Sequence, residues 1–231
     1  MPLTRIRAIC FDLDNTLWDV WPVIMRAERA MYDFLAERYP KTVANLTVEA
    51  LREVRDAVAH EFPQMRHDFT FLRKQSLRKL AEMHAYPECL AEEAFEVFIR
   101  VRNEVTLYDE VLPALETLRQ RFRLFAASNG NADLRKIGIG HLFERSVAAR
   151  DVGAAKPDPV IFQKAIEGTG LEPHEVIYVG DDPLLDVVGA RRAGMHPVWI
   201  NRTGAAWPDD LEPPLQAIAS LDDLVALTQR D

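Results

Sequence analysis

At 231 residues, with 48% apolar and 28% charged side chains, the chain fits one large domain or one domain carrying a sizeable insertion. A net charge of −8 argues against a nucleic-acid or anionic-membrane surface, which needs a basic footprint, and no run approaches the roughly 20 apolar residues that span a bilayer. Two cysteines, Cys10 and Cys89, are too few for a disulfide framework or a thiolate zinc site and read as small buried hydrophobes, and Met1–Arg5 leads into no signal-like apolar stretch, so a reducing, cytoplasmic setting is expected.

Arg7–Phe11 predicts a short buried strand, ended by Asp12 and Asp14 within "ICFDLDNTLWD", residues 9–19. A helix starts near Trp21-Pro22, with Pro suited to a first turn, and Ile24, Ala27, Met31, Phe34 and Leu35 recur at helical spacing. Further helices are predicted over 48–61, with Leu51, Val54 and Val58 on one face, over 69–85 and over 90–103. After Tyr108 the pattern changes. A helix over Val111–Arg121 leads into "RLFAASN" (Arg123–Asn129), a strand ending in polar residues. Helix 131–138, strand 144–149, helix 158–169, strand 175–180, helix 183–194 and strand 197–201 then alternate, which predicts a parallel sheet covered by helices. Thr203–Pro214 reads as a loop, and Leu221–Gln229 as a last helix with Ser220 at its N-cap.

The expected architecture is therefore an α/β core, residues 1–17 and 108–231, interrupted by an all-helical insert, residues 18–107. The insert carries 13 basic and 15 acidic side chains and the remainder 15 and 21, so the acidic excess belongs to the core.

Two adjacent carboxylates at the end of a buried strand repel each other, and a divalent cation is the natural compensation. Open parallel sheets place ligands at the carboxyl ends of their strands. Four such ends here carry polar groups: Asp12 and Asp14; Ser128 and Asn129; Lys156; and Asp181, Asp182 and Asp186. Phosphoryl transfer uses all of them. One carboxylate can attack phosphorus, and a second two residues on can protonate the leaving alkoxide and then activate water. Mg2+, which prefers oxygen ligands, would be held by Asp12, Asp181 and the backbone carbonyl of Asp14. Ser128, with Asn129, can bind a phosphoryl oxygen, and Lys156 can balance its charge.

These motifs resemble the haloacid dehalogenase (HAD) superfamily. "DLDNT" supplies Asp12, Asp14 and Thr16; "ASNGN" supplies Ser128; "AAKPDP" supplies Lys156; "VGDDPLLD" supplies Gly180, Asp181 and Asp186, all in the family's order. The resemblance implies a Rossmann-like parallel-sheet core with an inserted helical cap. It further implies Asp12 as nucleophile, Asp14 as acid and base, Ser128 and Lys156 as phosphate-binding groups and Asp181 as metal ligand. Asp182 or Asp186 would support the metal or orient Lys156; Asp182, followed by Pro183, equally suits a helix cap. Thr16 would hold the turn.

Asp14 implies a phosphatase rather than a dehalogenase, whose carbon-bound halide needs no proton. "WPVIMRAER", "HDFT", "NGNA" and "VGDDPLLDVVGARRAGM" further resemble the bacterial branch acting on FMN and on 5-amino-6-(5-phospho-D-ribitylamino)uracil. The implied partner is a small phosphorylated metabolite, with no nucleic acid or membrane; oligomeric state is left open. Nucleotide and sugar-phosphate phosphatases and phosphosugar mutases share the motifs. A phosphonate-cleaving enzyme would need a cap lysine, with Lys74 and Lys79 as candidates. A receiver-type phospho-acceptor has its acceptor Asp on a later strand and is a shorter chain; a non-catalytic binding module would not need the intact motif set.

In the insert, Trp18 and Trp21 suit either stacking on a planar substrate or packing at the hinge. His67 suits a pocket or a surface. Arg66, Arg73, Lys74, Arg78 and Lys79 form a local cationic excess, with Asp68 the one acid among them, that suits an anionic substrate or a solvated helix face. Arg73 is taken from it as a pocket candidate.

Overall fold

Every side chain of β1 (Ala8–Phe11) is buried, as expected of a strand covered on both faces of a parallel sheet. The computed structural model, which describes residues 5–229, sets this strand at the middle of a six-stranded sheet. Its other members are β2 (Arg123–Ser128), β3 (Arg145–Ala148), β4 (Val176–Gly180), β5 (His196–Ile200) and β6 (Ala217–Ile218), in the order β3-β2-β1-β4-β5-β6. All pairings are parallel, with Cys10 opposite both Phe125 and Tyr178. The chain leaves β1 towards β2 on one side and returns to β4 on the other. The β1/β4 gap is thus the point at which strand order reverses, where open α/β sheets form a ligand crevice.

The compact unit containing this sheet is Met1–Asp19 with Thr106–Asp231; the other is Val20–Val105. In the sheet unit, Ala8, Cys10, Phe125, Ala127, Val176 and Tyr178 alternate along their strands and share one core cluster. Against them pack Ile161, Phe162 and Ala165 of the helix Pro159–Ile166, whose N-cap Asp158 accepts a hydrogen bond from Val160 N at 2.9 Å. Burying each large apolar side chain there contributes about 1.5–3 kcal/mol.

The helix expected over 183–194 is split. Pro183–Val188 forms a π-helical turn, because the Asp182 carbonyl accepts from Asp186 N (3.0 Å) and also from Val187 N (3.2 Å), and Gly189–Arg192 continues as α-helix. The helix expected over 131–138 is confined to Leu134–Ile137, between the N-cap Asp133 and left-handed Gly138. The short helix Ala149–Val152 and the edge strand β6 have no pattern long enough to read in the sequence. The last helix, Leu221–Thr228, starts at Ser220, whose side chain accepts from Asp223 N.

The second unit contains four α-helices: α1 (Val20–Arg38), α2 (Val48–Glu61), α3 (Phe69–Met83) and α4 (Cys89–Arg102). Thr47 and Asp68 cap α2 and α3 by accepting from Ala50 N and Phe71 N. Ala27, Met31 and Leu35 of α1 join Leu77 and Leu80 of α3 and Leu90, Ala94 and Phe98 of α4 in one apolar cluster. Cys10 is buried, but Cys89 is exposed, contrary to the sequence expectation. It begins α4 and lies outside the stripe of Leu90, Ala91, Ala94, Phe95 and Phe98 that enters the core. Among the described residues, no helix is long and apolar enough to cross a membrane.

Candidate active site

Asp12 follows β1 directly, and its N–H continues the ladder by donating to Val179 O at 2.8 Å. The chain then turns tightly. Leu17 N donates to Leu13 O (2.8 Å) and Asn15 N to Trp18 O (2.7 Å), while Asn15 takes a left-handed φ of 61°, which Asn tolerates better than most residues. The turn folds Trp18 back onto Asp14, and the indole Nε1–H donates to Asp14 Oδ1 at 2.8 Å. Thr16 is fully buried, with its hydroxyl 3.5 Å from Asp181 Oδ1 and its carbonyl receiving two bonds from the Arg202 guanidinium.

Across the β1/β4 gap, β4 ends at Gly180 and delivers Asp181. The π-helical turn then brings Asp186 back beneath it. Asp186 lies so close to Gly180 that a Cβ there would sit 2.3 Å from the Asp186 Cγ, so only glycine fits. Trp199 of β5 donates from Nε1 to the Asp181 carbonyl at 2.8 Å and fixes that peptide. Carboxylate oxygens of Asp12, Asp181 and Asp186 lie within 4.8 Å of one another.

Lys156, preceding Pro157 across a cis peptide bond, enters the same cluster. Its buried ammonium pairs with Asp12 and with Asp186 (2.7 Å) and donates to the Tyr178 hydroxyl at 3.1 Å. The Asn129 side chain clamps the Lys156 backbone, accepting from its N–H at 2.7 Å and donating to its carbonyl at 3.1 Å. Ser128 is buried at the end of β2, and its Oγ accepts from Gly130 N at 3.0 Å.

Burial pushes the Asp12 carboxyl well above the ordinary carboxylate range; Lys156 opposes the rise, while Asp186 and Asp181 add to it. Burial, and then Asp186, push Asp181 up to about 7. Burial pulls the Lys156 ammonium down, but Asp12 and Asp186 outweigh it and hold the group protonated. Burial and Asp186 likewise keep Tyr178 a neutral phenol, which donates to Ala127 O at 3.0 Å. With all three carboxylates ionised the cluster would exceed its one ammonium by two negative charges, and that repulsion is part of what raises Asp12 and Asp181.

The family profile for haloacid dehalogenase-like hydrolases matches residues 6–194, which contain Asp12, Asp14, Ser128, Lys156, Asp181 and Asp186. The chain belongs to that family. This HAD-like hydrolase is 32% identical to the 5-amino-6-(5-phospho-D-ribitylamino)uracil phosphatase YigB of Escherichia coli, over 97% of this chain and 98% of that one. It is 33% identical to a glyceraldehyde 3-phosphate phosphatase of Methanopyrus kandleri, over 85% and 84% of the two chains. Among solved structures, a 2-haloacid dehalogenase of Pseudomonas syringae superposes with a TM-score of 0.91 at 38% identity, covering 97% of this chain and 99% of that one.

The donor set of the HAD-like site suits a divalent ion. Its candidate ligands are hard carboxylate oxygens, and its charge excess equals the charge such an ion carries. Asp12 and Asp181 are best placed for it. Asp186 Oδ1 already receives Lys156, with the Tyr178 hydroxyl oxygen 3.2 Å away, and its Oδ2 receives Asp182 N at 2.9 Å, so both Asp186 oxygens face protein groups.

Several candidates read from the sequence take other places. Asp182 is a helix cap, its carboxylate accepting from Leu184 N and Leu185 N, both at 2.8 Å. The Asn129 side chain holds Lys156, so its amide is not a ready phosphate ligand. Trp18 is fully buried and has no face to stack on a substrate. Arg73 is buried inside the helical unit, 3.3 Å from Glu28 and with its guanidinium 3.8 Å from the Phe98 ring centroid, so it is part of that unit's interior rather than a pocket group. Trp21 is exposed and lies beside Arg52, and His67 is half-buried in the turn before α3; both belong to the helical unit. Its cationic run is largely neutralised by acids distant in sequence: Lys74 and Arg78 pair with Glu92, and Lys79 with Glu61. Tyr178, Trp199 and Arg202 were missed because each serves the site through contacts between distant segments.

Proposed function

We propose that this HAD-like phosphatase hydrolyses a small phosphorylated metabolite in two displacements with Mg2+ bound between Asp12 and Asp181, and that its substrates are flavin-pathway phosphates, FMN or ribitylaminouracil phosphate. The observation that carries the reading is the meeting of Asp12, Asp181, Asp186 and Lys156 at the carboxyl ends of β1 and β4. Similarity to YigB over nearly the full length of both chains supports the substrate.

In the first displacement an Asp12 carboxylate oxygen bonds to phosphorus as the ester P–O bond breaks. Asp14 gives its proton to the departing alkoxide. In the second, water bonds to the same phosphorus, the Asp12–phosphorus bond breaks, and the water proton passes to Asp14. Lys156 balances charge on Asp12 and on the phosphoryl oxygens, and the Ser128 hydroxyl binds one of those oxygens. Asp12, Asp181 and the Asp14 carbonyl would hold the metal, which when bound would supply charge neutralisation at phosphorus. Asp14 favours phosphate esters over haloacids: a departing alkoxide needs a proton and a halide does not.

The test is a screen of the purified protein against FMN, ribitylaminouracil phosphate, nucleotides and sugar phosphates, with and without EDTA. The expected result is EDTA-sensitive release of phosphate, highest with the two flavin-pathway compounds, and a loss of at least about 1,000-fold in Asp12→Asn. A clear preference for a sugar phosphate would overturn the substrate, and undiminished turnover in Asp12→Asn would overturn the nucleophile.

A further inference from the structure

We propose that Tyr178 is a positioning residue for Lys156, its hydroxyl holding one N–H of the buried ammonium so that another stays aimed at Asp12 and at the phosphoryl group that Asp12 receives. The inference rests on the reading of Lys156 as the group that balances charge there. Tyr178 stands in β4, a strand buried along its whole length, between the apolar side chains of Ile177 and Val179. A phenol buried in such a strand needs a partner for its hydroxyl. Parallel pairing sets Tyr178 beside Cys10 of β1, and its ring shares one core cluster with Cys10, Phe125 and Ala127.

Packing fixes the ring. Tyr178 is fully buried, and Phe162 meets it edge-on, with ring centroids 4.7 Å apart and planes at 71°. The hydroxyl donates to Ala127 O at 3.0 Å, the carbonyl one residue before Ser128, so it is anchored to the backbone at the end of β2. With its one hydrogen used there, the phenol oxygen faces the Lys156 ammonium as an acceptor, at 3.1 Å.

An ammonium has three N–H groups and no acceptor. Those of Lys156 go to Asp12, to Asp186 Oδ1 (2.7 Å) and to the Tyr178 hydroxyl. Of the three acceptors, Asp12 is the one that reacts: once an oxygen of it is bonded to phosphorus, its negative charge is gone. Asp186 and Tyr178 are unchanged by that step, and their two bonds keep the third N–H turned towards the reacting side. Without the Tyr178 oxygen, the charge of Asp186 draws the ammonium towards itself and away from the phosphoryl oxygens. No proton moves in this role.

The experiment measures kcat on p-nitrophenyl phosphate at saturating substrate and Mg2+, with urea unfolding of each protein. It compares the wild type, Tyr178→Phe, Lys156→Met, the double variant and Phe162→Leu, which loosens the packing on the Tyr178 ring but keeps its hydroxyl. Tyr178→Phe is expected to lower kcat about tenfold in the wild type and less than about twofold in the Lys156→Met background, where a residue acting through Lys156 has nothing to position. Phe162→Leu is expected to stay within about twofold of the wild-type kcat. If Lys156→Met does not fold or is too slow to measure, the contrast between Tyr178→Phe and Phe162→Leu decides. If Tyr178→Phe does not fold, 4-fluorophenylalanine at position 178, which keeps the bulk of the hydroxyl without its hydrogen, takes its place. Wild-type kcat in Tyr178→Phe, an equal loss in both Lys156 backgrounds, or an equal loss in Phe162→Leu would overturn the proposal alone. Wild-type kcat in Lys156→Met would overturn the reading of Lys156 and the proposal with it.

Discussion

Lys156 and Asp186 are held together by a residue that contributes no side chain at all. Gly180 lets Asp186 pack against the end of β4, and a methyl group there would lie 2.3 Å from its Cγ. Gly180→Ala must displace Asp186, which would release one partner of the Lys156 ammonium and the brace on Asp182 N. We expect a stability loss of about 1–3 kcal/mol by urea unfolding, together with a fall in kcat that exceeds any change in KM. An unchanged kcat would show that Asp186 can move without disturbing Lys156. At this scale Asp12, Asp14 and Asp181 can be read as candidates from the sequence, because strand-end placement follows from local pattern, while Lys156, expected just beyond a strand, lies past β3 and the helix Ala149–Val152. Choosing between Asp182 and Asp186 was beyond the sequence: both are carboxylates a few residues after one strand, and the hydrogen bonds of a single turn decide.

That turn belongs to the scale of elements. Pro183–Val188 is wound as a π-helix, with Asp182 receiving two backbone N–H groups at its start. Removing the cap in Asp182→Ala should cost about 0.5–2 kcal/mol, read as a lower urea midpoint at unchanged slope. A cost near zero would mean that Pro183 and the Asp186 contact suffice to start the turn. Regular elements were legible where amphipathic period and caps agree: Val48–Glu61 coincides with its predicted helix, and Ser220 caps the last one. The extra hydrogen bond that converts 183–188 to π-helix leaves no periodic trace, and two-residue β6 is too short to show alternation. The cationic run left two readings open for a related reason: Glu61 lies on α2 and Glu92 on α4, so the pairing of Lys74, Arg78 and Lys79 depends on how helices pack.

For the whole molecule, parallel order β3-β2-β1-β4-β5-β6 explains why residues as distant as Asp12 and Asp181 share one site. Both follow strands flanking the gap where the chain reverses direction across the sheet. Crowding buried Asp12 and Asp186 with half-buried Asp181 around one lysine raises Asp12 and Asp181, a state that a divalent ion and a phosphoryl group would each change. The central claim is that Asp12 carries the phosphoryl group between the two displacements. It is tested most directly by acid-quenching Asp14→Asn during reaction with p-nitrophenyl phosphate, whose leaving group needs no acid, and mapping the protein by peptide mass spectrometry. The account predicts one added phosphoryl group on the peptide bearing Asp12, accumulated because the second displacement has lost its base. Phosphorylation at another residue, or an unmodified Asp12 peptide while phosphate is still released, would contradict it.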